Sequence, residues 1–203
     1  MQRPMSEPLR LNSPRFAYNY SLEGDFTDKE VSLLADSFEL FFDVVGDRLG
    51  NVLVTREMCF KLAPKGGNYL KSPAMICLNT HQLSQWTVLH ELGHALDASR
   101  GWQLSRRMQL ATGSGFPLKF MHKLHPKWRM FWYHVGSPPP PCGVNAKFNA
   151  IEDFAETVAA YILPERAKAK AAANGYHYEK YGYNHFHQTP RGQFFAGLLK
   201  EEE

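Results

Sequence analysis

His90-Glu91-Leu92-Gly93-His94 limits what this 203-residue chain can fold into more than any other stretch of it. On an α-helix, positions i and i+4 share one face, one turn apart. His90 and His94 therefore present two imidazole nitrogens to a single point, where one metal ion can take both. Glu91 is turned around the helix but stays beside that point, and its carboxylate can take a proton from a metal-bound water. Two neutral imidazoles, a carboxylate base and an open coordination position are the parts of metal-assisted hydrolysis. The segment must then be helical, and a third donor must arrive from elsewhere in the chain.

The same five residues also arise on a solvated helix rich in His and Glu. The flanks argue against that here: Trp86, Val88, Leu89, Leu92, Ala95 and Leu96 make the helix apolar enough to be buried. Ser84 or Thr80 can cap its start, and Gly101 stands where a helix stop belongs. Two histidines on a buried helix need polar partners, and a metal supplies one.

The chain is long enough for a single well-packed domain, residues 1–203, divided into two lobes around a cleft. No apolar run approaches the roughly 20 residues of a membrane helix, and Met1 to Pro8 holds no apolar leader segment. Cys59, Cys77 and Cys142 are odd in number and widely spaced. They suggest neither a disulfide framework nor a cysteine zinc site, and lean towards a reducing, cytoplasmic compartment. Cys59 and Cys77 read as small core residues. Charge is unevenly placed: Ala98 to Ile151 holds no Asp or Glu but many Arg and Lys, whereas Glu23 to Asp47 is acidic. That asymmetry suits either a solvated face or the steering of an acidic partner such as nucleic acid.

Leu9 to Leu22 reads as extended, with Phe16, Tyr18 and Tyr20 alternating at strand period. Thr27 opens a helix and Glu30 completes its capping box. The apolar stripe of Val31, Leu34, Phe38, Phe41, Phe42 and Val45 follows at helical spacing, with Gly46 or Gly50 as its end. Asn51 to Thr55 reads as a short β-rich run, Pro64 to Gly67 as a turn, and Ala74 to Asn79 as a strand feeding the motif helix. A strand at that place can border a cleft and pair with an extended peptide. Gly101 to Lys147 reads as a helical lobe, with Pro138 to Pro141 extended within it.

A catalytic zinc takes three protein ligands. The next strongly helical segment, Asn149 to Tyr161, offers Glu152 and Glu156 one turn apart beside the apolar stripe of Ile151, Ala155, Val158 and Ile162. Glu152 can ligate, while Glu156 can accept the outer N–H of a ligand histidine. Asp97, three residues past His94, is a second candidate for that supporting role. With Asn149 as N-cap, Glu152 also stands where a capping box closes. His122, His125 and His134 are alternative third ligands.

His90-Glu91-Leu92-Gly93-His94-Ala95-Leu96-Asp97, followed by Glu152-Asp153-Phe154-Ala155-Glu156, resembles the gluzincin zinc peptidases, in particular the group of the anthrax lethal factor catalytic domain and the Pro-Pro endopeptidases. The resemblance covers Ser84 to Arg100 and Asn149 to Ile162. It implies a zincin fold and peptide-bond hydrolysis, with Glu152 as the ligand glutamate and Glu156 behind it. The group carries a tyrosine shortly before the ligand glutamate that supports the tetrahedral intermediate. Here no Tyr occurs from His134 to Ile151, and Asn145 stands at that distance. The cluster Tyr176, Tyr178, Tyr181, Tyr183, His185 and His187 is a source of replacement or simply a packed aromatic tail.

The expectation is therefore an α+β, zincin-like chain: a small N-terminal α+β lobe (1–100) and a mostly helical C-terminal lobe (101–203), with the zinc cleft between them. Zn2+ is held by His90, His94 and Glu152, and Glu91 is the catalytic base acting on a peptide or protein substrate. The rival readings are a non-catalytic zinc-binding interaction module, as in a phage or toxin component, and a DNA-associated peptidase. Keeping Glu91 argues against the former, since a purely structural site has no use for it.

Overall fold

The sheet that leads into the motif helix is built from short strands whose register gathers Phe60, Ile76 and Leu78 on one buried face. In the computed structural model, residues 20–54, 58–63, 68–70, 75–79, 83–112, 149–175 and 182–201 are described. They divide into two compact units, Met1–Leu96 and Asp97–Glu203. The whole is α+β.

The first unit contains β1 (Tyr20–Glu23), α1 (Asp28–Val54), β2 (Met58–Ala63), β3 (Asn68–Leu70), β4 (Met75–Asn79) and most of α2 (Gln85–Ser99). The strand order is β1-β2-β4-β3. β1 and β4 run parallel to β2, and β3 runs antiparallel to β4. Because side chains alternate between faces, Phe60 and its register partner Ile76 share one face with Leu62 and Leu78. Phe60, Ile76 and Leu78 are fully buried. Phe38 of α1 meets Phe60 edge-on at 5.2 Å, so the stripe of α1 covers this face. Burying one such ring is worth about 1.5–3 kcal/mol. The other face is polar at its rim, where Lys61 pairs with its register partner Glu23.

α1 begins on the expected capping box. The Thr27 N–H donates to Glu30 Oε2 at 2.7 Å, and the Glu30 N–H donates back to Thr27 Oγ1 at 3.3 Å. Leu34, Phe38, Phe41, Phe42 and Val45 are buried as the stripe predicts, and Val31 is half-buried. Gly46 breaks the helix at φ 71 and ψ 173, a conformation costly for any residue with a Cβ. The break does not end it. The helix resumes through Val54, so Asn51 to Val54 is helical rather than β-rich. Leu49 and Leu53, four apart and both buried, supply the helical face that outweighs the β propensity of the valines.

β4 feeds α2 as expected, but it is hydrogen-bonded on both sides. Strand addition by a peptide would have to use an edge strand of the described sheet, β1 or β3. β2 and β3 were not anticipated. Of the expected extended start only Tyr20–Leu22 is described, and it is strand; the Pro64–Gly67 turn lies outside the described residues.

The second unit comprises α3 (Gln103–Thr112), α4 (Ala150–Ile162), α5 (Pro164–Ala173), a 3₁₀ helix (Tyr183–Gln188) and α6 (Pro190–Glu201). α4 packs on α3, α5 and α6, while the 3₁₀ helix packs on α5 and α6. Leu104 and Met108 of α3, Phe154 and Val158 of α4, and Phe195 and Leu198 of α6 are buried. No helix among the described residues is long and apolar enough to cross a membrane.

Candidate metal centre

α2 is fixed at both ends by its own sequence. Ser84 caps the start: its Oγ accepts from the Thr87 N–H at 3.2 Å, and its carbonyl accepts from the Val88 N–H at 3.0 Å. At the far end the chain turns through Gly101 at φ 66, and the Trp102 N–H returns to the Asp97 carbonyl at 2.8 Å. Between these stops, Trp86, Val88, Leu89, Leu92, Ala95 and Leu96 are buried. The helix is therefore set by apolar packing rather than left on a solvated face.

On it the two histidines meet as the spacing requires. Their ring centroids are 4.7 Å apart and the planes perpendicular. His90 is half-buried, His94 is 7% exposed, and Glu91 between them is 3% exposed. A carboxylate kept this far from water is costly unless it is paired or hydrogen-bonded.

α4 opens on Asn149, whose side chain accepts from the N–H groups of Ile151 at 2.9 Å and Glu152 at 3.2 Å. This cap holds the first turn, and Glu152 leaves that turn half-buried. One ligand atom each from His90, His94 and Glu152 lies within 4.8 Å of the others. Two donors about 2.1 Å from one tetrahedral metal sit roughly 3.4 Å apart, so side-chain movements of about an ångström would bring the three to one ion. Two imidazoles and a carboxylate are also the donor chemistry of a catalytic zinc with one position left open. The cluster can hold a metal ion. The competing donors His122, His125 and His134, with Asn145 and the run Pro138–Pro141, lie outside the described residues.

The two acids expected to support the ligand histidines are both deeply buried. Glu156 is 1% exposed, one turn beyond Glu152 on α4. Asp97 is fully buried; its Oδ1 accepts from the Ser105 N–H in the first turn of α3 at 3.1 Å, and its Oδ2 has no hydrogen-bond partner among the described residues. Tyr183 is 2% exposed and stacks on Phe186 at 6.3 Å, which is aromatic packing. Tyr176, Tyr178 and Tyr181 lie outside the described residues. Cys77 is buried, and that burial pushes its thiol pKa up, against the opposing charge of Lys61.

One pair had no trace in the sequence reading. Asp153, next to Glu152, takes a two-point contact from Arg191 of α6: Nε to Oδ1 at 2.7 Å and Nη2 to Oδ2 at 3.0 Å. Both side chains are 1% exposed. The partners stand 38 residues apart, and no local spacing rule links them.

Comparisons with protein-family models, curated proteins and solved structures give no match.

Proposed function

We propose that the chain is a zinc-dependent peptidase with a zincin-like arrangement, His90, His94 and Glu152 holding the metal. The observation that carries this reading is the convergence of the three ligand atoms within 4.8 Å, two of them on the helix that also carries the buried Glu91. A cluster built only to hold a metal gains nothing from that additional carboxylate beside it.

Zinc, when bound, supplies a Lewis acid that lowers the pKa of a water molecule to about 7 and polarises a carbonyl oxygen. Every other step falls to the chain. Glu91 accepts the proton of the attacking water at a carboxylate oxygen and later passes it to the departing amine nitrogen. Its burial excludes competing water from that transfer. His90 and His94 act as ligands. Glu156 would orient a ligand imidazole by accepting its outer N–H. The substrate is an extended peptide, and β3, as a strand edge, offers main-chain pairing for it.

The test is a mixed peptide library digested by the wild type with zinc, beside Glu91→Gln. General acid–base catalysis contributes about 10²–10⁴-fold, so turnover should fall by that factor while bound zinc, measured by metal analysis, is unchanged. His94→Ala should lose the metal itself. Zinc bound tightly with no cleavage by any variant would leave the non-catalytic binding module as the reading.

A further inference from the structure

The Arg191–Asp153 pair is a buried ion pair, and its place in the chain gives it a second consequence. Arg191 is the largest fully buried side chain among the described residues. It grips Asp153 through two parallel contacts, a fork that fixes direction as well as distance. Asp153 follows Glu152 directly in the first turn of α4. Phe154, next again, meets Phe195 of α6 at 6.2 Å. Gly192 then sits so close to the 3₁₀ helix that a Cβ there would lie 2.2 Å from the Phe186 carbonyl oxygen. Arg191 is thus held on a backbone with little room to shift.

We infer that the Arg191–Asp153 fork is a positioning device for Glu152, setting the roll of α4 so that the ligand carboxylate meets the metal. The geometry demands some such device. An atom at the outer radius of a helix, about 5–6 Å from the axis, moves about 1 Å for every 10° of roll. Metal–ligand distances tolerate only about 0.2 Å. The Asn149 cap holds the first turn through the N–H groups of Ile151 and Glu152, both on α4 itself. The buried fork ties the same turn to α6 and so can set the roll. The inference rests on the zinc reading above, because it concerns the ligand Glu152.

The experiment separates position from stability. A buried ion pair replaced as a whole by apolar residues of similar volume often costs no stability. The double variant Asp153→Leu with Arg191→Met should therefore keep the wild-type circular dichroism and still lose the fork. Its zinc affinity, read by competition with a chromophoric chelator, should fall about 10–100-fold, the scale of lost supporting partners at metal sites. The visible absorption of the Co2+-loaded protein should change with it, a signature that stability alone would not move. Glu152→Ala gives the reference for complete loss of the third donor. A folded double variant with wild-type affinity and spectrum overturns the inference while leaving the zinc reading intact. Wild type that binds no zinc overturns the zinc reading, and this inference with it. If the double variant does not fold, Arg191→Lys decides: it keeps the charge and loses the fork, and unchanged affinity and spectrum in it overturn the inference.

Discussion

Asp153 and Glu152 are neighbours in the chain with opposite environments, and the difference governs what a substitution at each should do. Asp153 is 1% exposed and its charge is met by Arg191. Removing one partner leaves the other charge buried without its counter-ion, which typically costs 3–5 kcal/mol. Asp153→Ala and Arg191→Ala should each lower unfolding stability by about that amount, measured by urea denaturation. A loss below about 1 kcal/mol in either would mean that water or another group reaches the remaining charge. Glu152 is only half-buried and belongs to a cluster that can take a metal. Its replacement by Ala should cost little stability without zinc, and its effect should appear only when zinc is present. Residues adjacent in sequence thus divide between holding the helix and using it.

At the scale of elements, the ends of α1 and α6 give the sharpest expectations. Thr27→Ala removes a cap oxygen and should cost about 1 kcal/mol. The Glu30 half of that box is pH-dependent. The backbone N–H of Thr27, and then its hydroxyl, hold the Glu30 pKa below its ordinary 4.5. A lowered carboxylate pKa stabilises the fold above 4.5, and the contribution is lost as pH falls through the lowered folded value. The stability difference between wild type and Glu30→Ala should therefore shrink from pH 7 to strongly acid pH in parallel denaturant melts; a difference that grows would contradict the sign. Gly192→Ala faces backbone rather than a flexible side chain, with the Phe186 oxygen at 2.2 Å and His187 Cα at 2.7 Å. It should cost the upper end of the 1–3 kcal/mol of overpacking, or more, seen as a lowered melting temperature. The same elements explain what the sequence made legible. The Thr27–Glu30 box, the stripe of α1, the Ser84 cap, the Asn149 cap and the pairing of His90 with His94 all follow from contacts within one or two helical turns. β2 and β3 were missed because a short strand is defined by partners elsewhere: Phe60 becomes core only through Ile76 and Phe38. Asn51 to Val54 was misread because the packing of Leu49 and Leu53 outweighs local β preference. Arg191 and Asp153 share no local pattern, so nothing short of the fold could join them.

For the whole molecule, a metal whose donors stand at positions 90, 94 and 152 joins parts of the chain that are neighbours only when folded. The unfolded chain presents those groups separately, so zinc should bind the native state far better than the unfolded one. Such a ligand stabilises by RT ln(1 + [L]/Kd), about 2.7 kcal/mol at a free concentration one hundred times Kd. For a chain of this length each kcal/mol moves the melting temperature by roughly 2–4 °C. Zinc at that excess should therefore raise it by about 5–11 °C over the chelator-treated protein, monitored by circular dichroism. Binding of zinc to histidines in the unfolded chain would reduce the shift, so the lower half of that range is the firmer expectation. Glu152→Ala should show a much smaller shift than wild type, because the remaining histidine pair also forms wherever α2 is helical. Calcium, which prefers six to eight oxygen ligands, should produce almost none at the same concentration. An equal shift in wild type and Glu152→Ala would mean that the stabilising metal sits on the histidines alone, and Glu152 would then have to be removed from the ligand set.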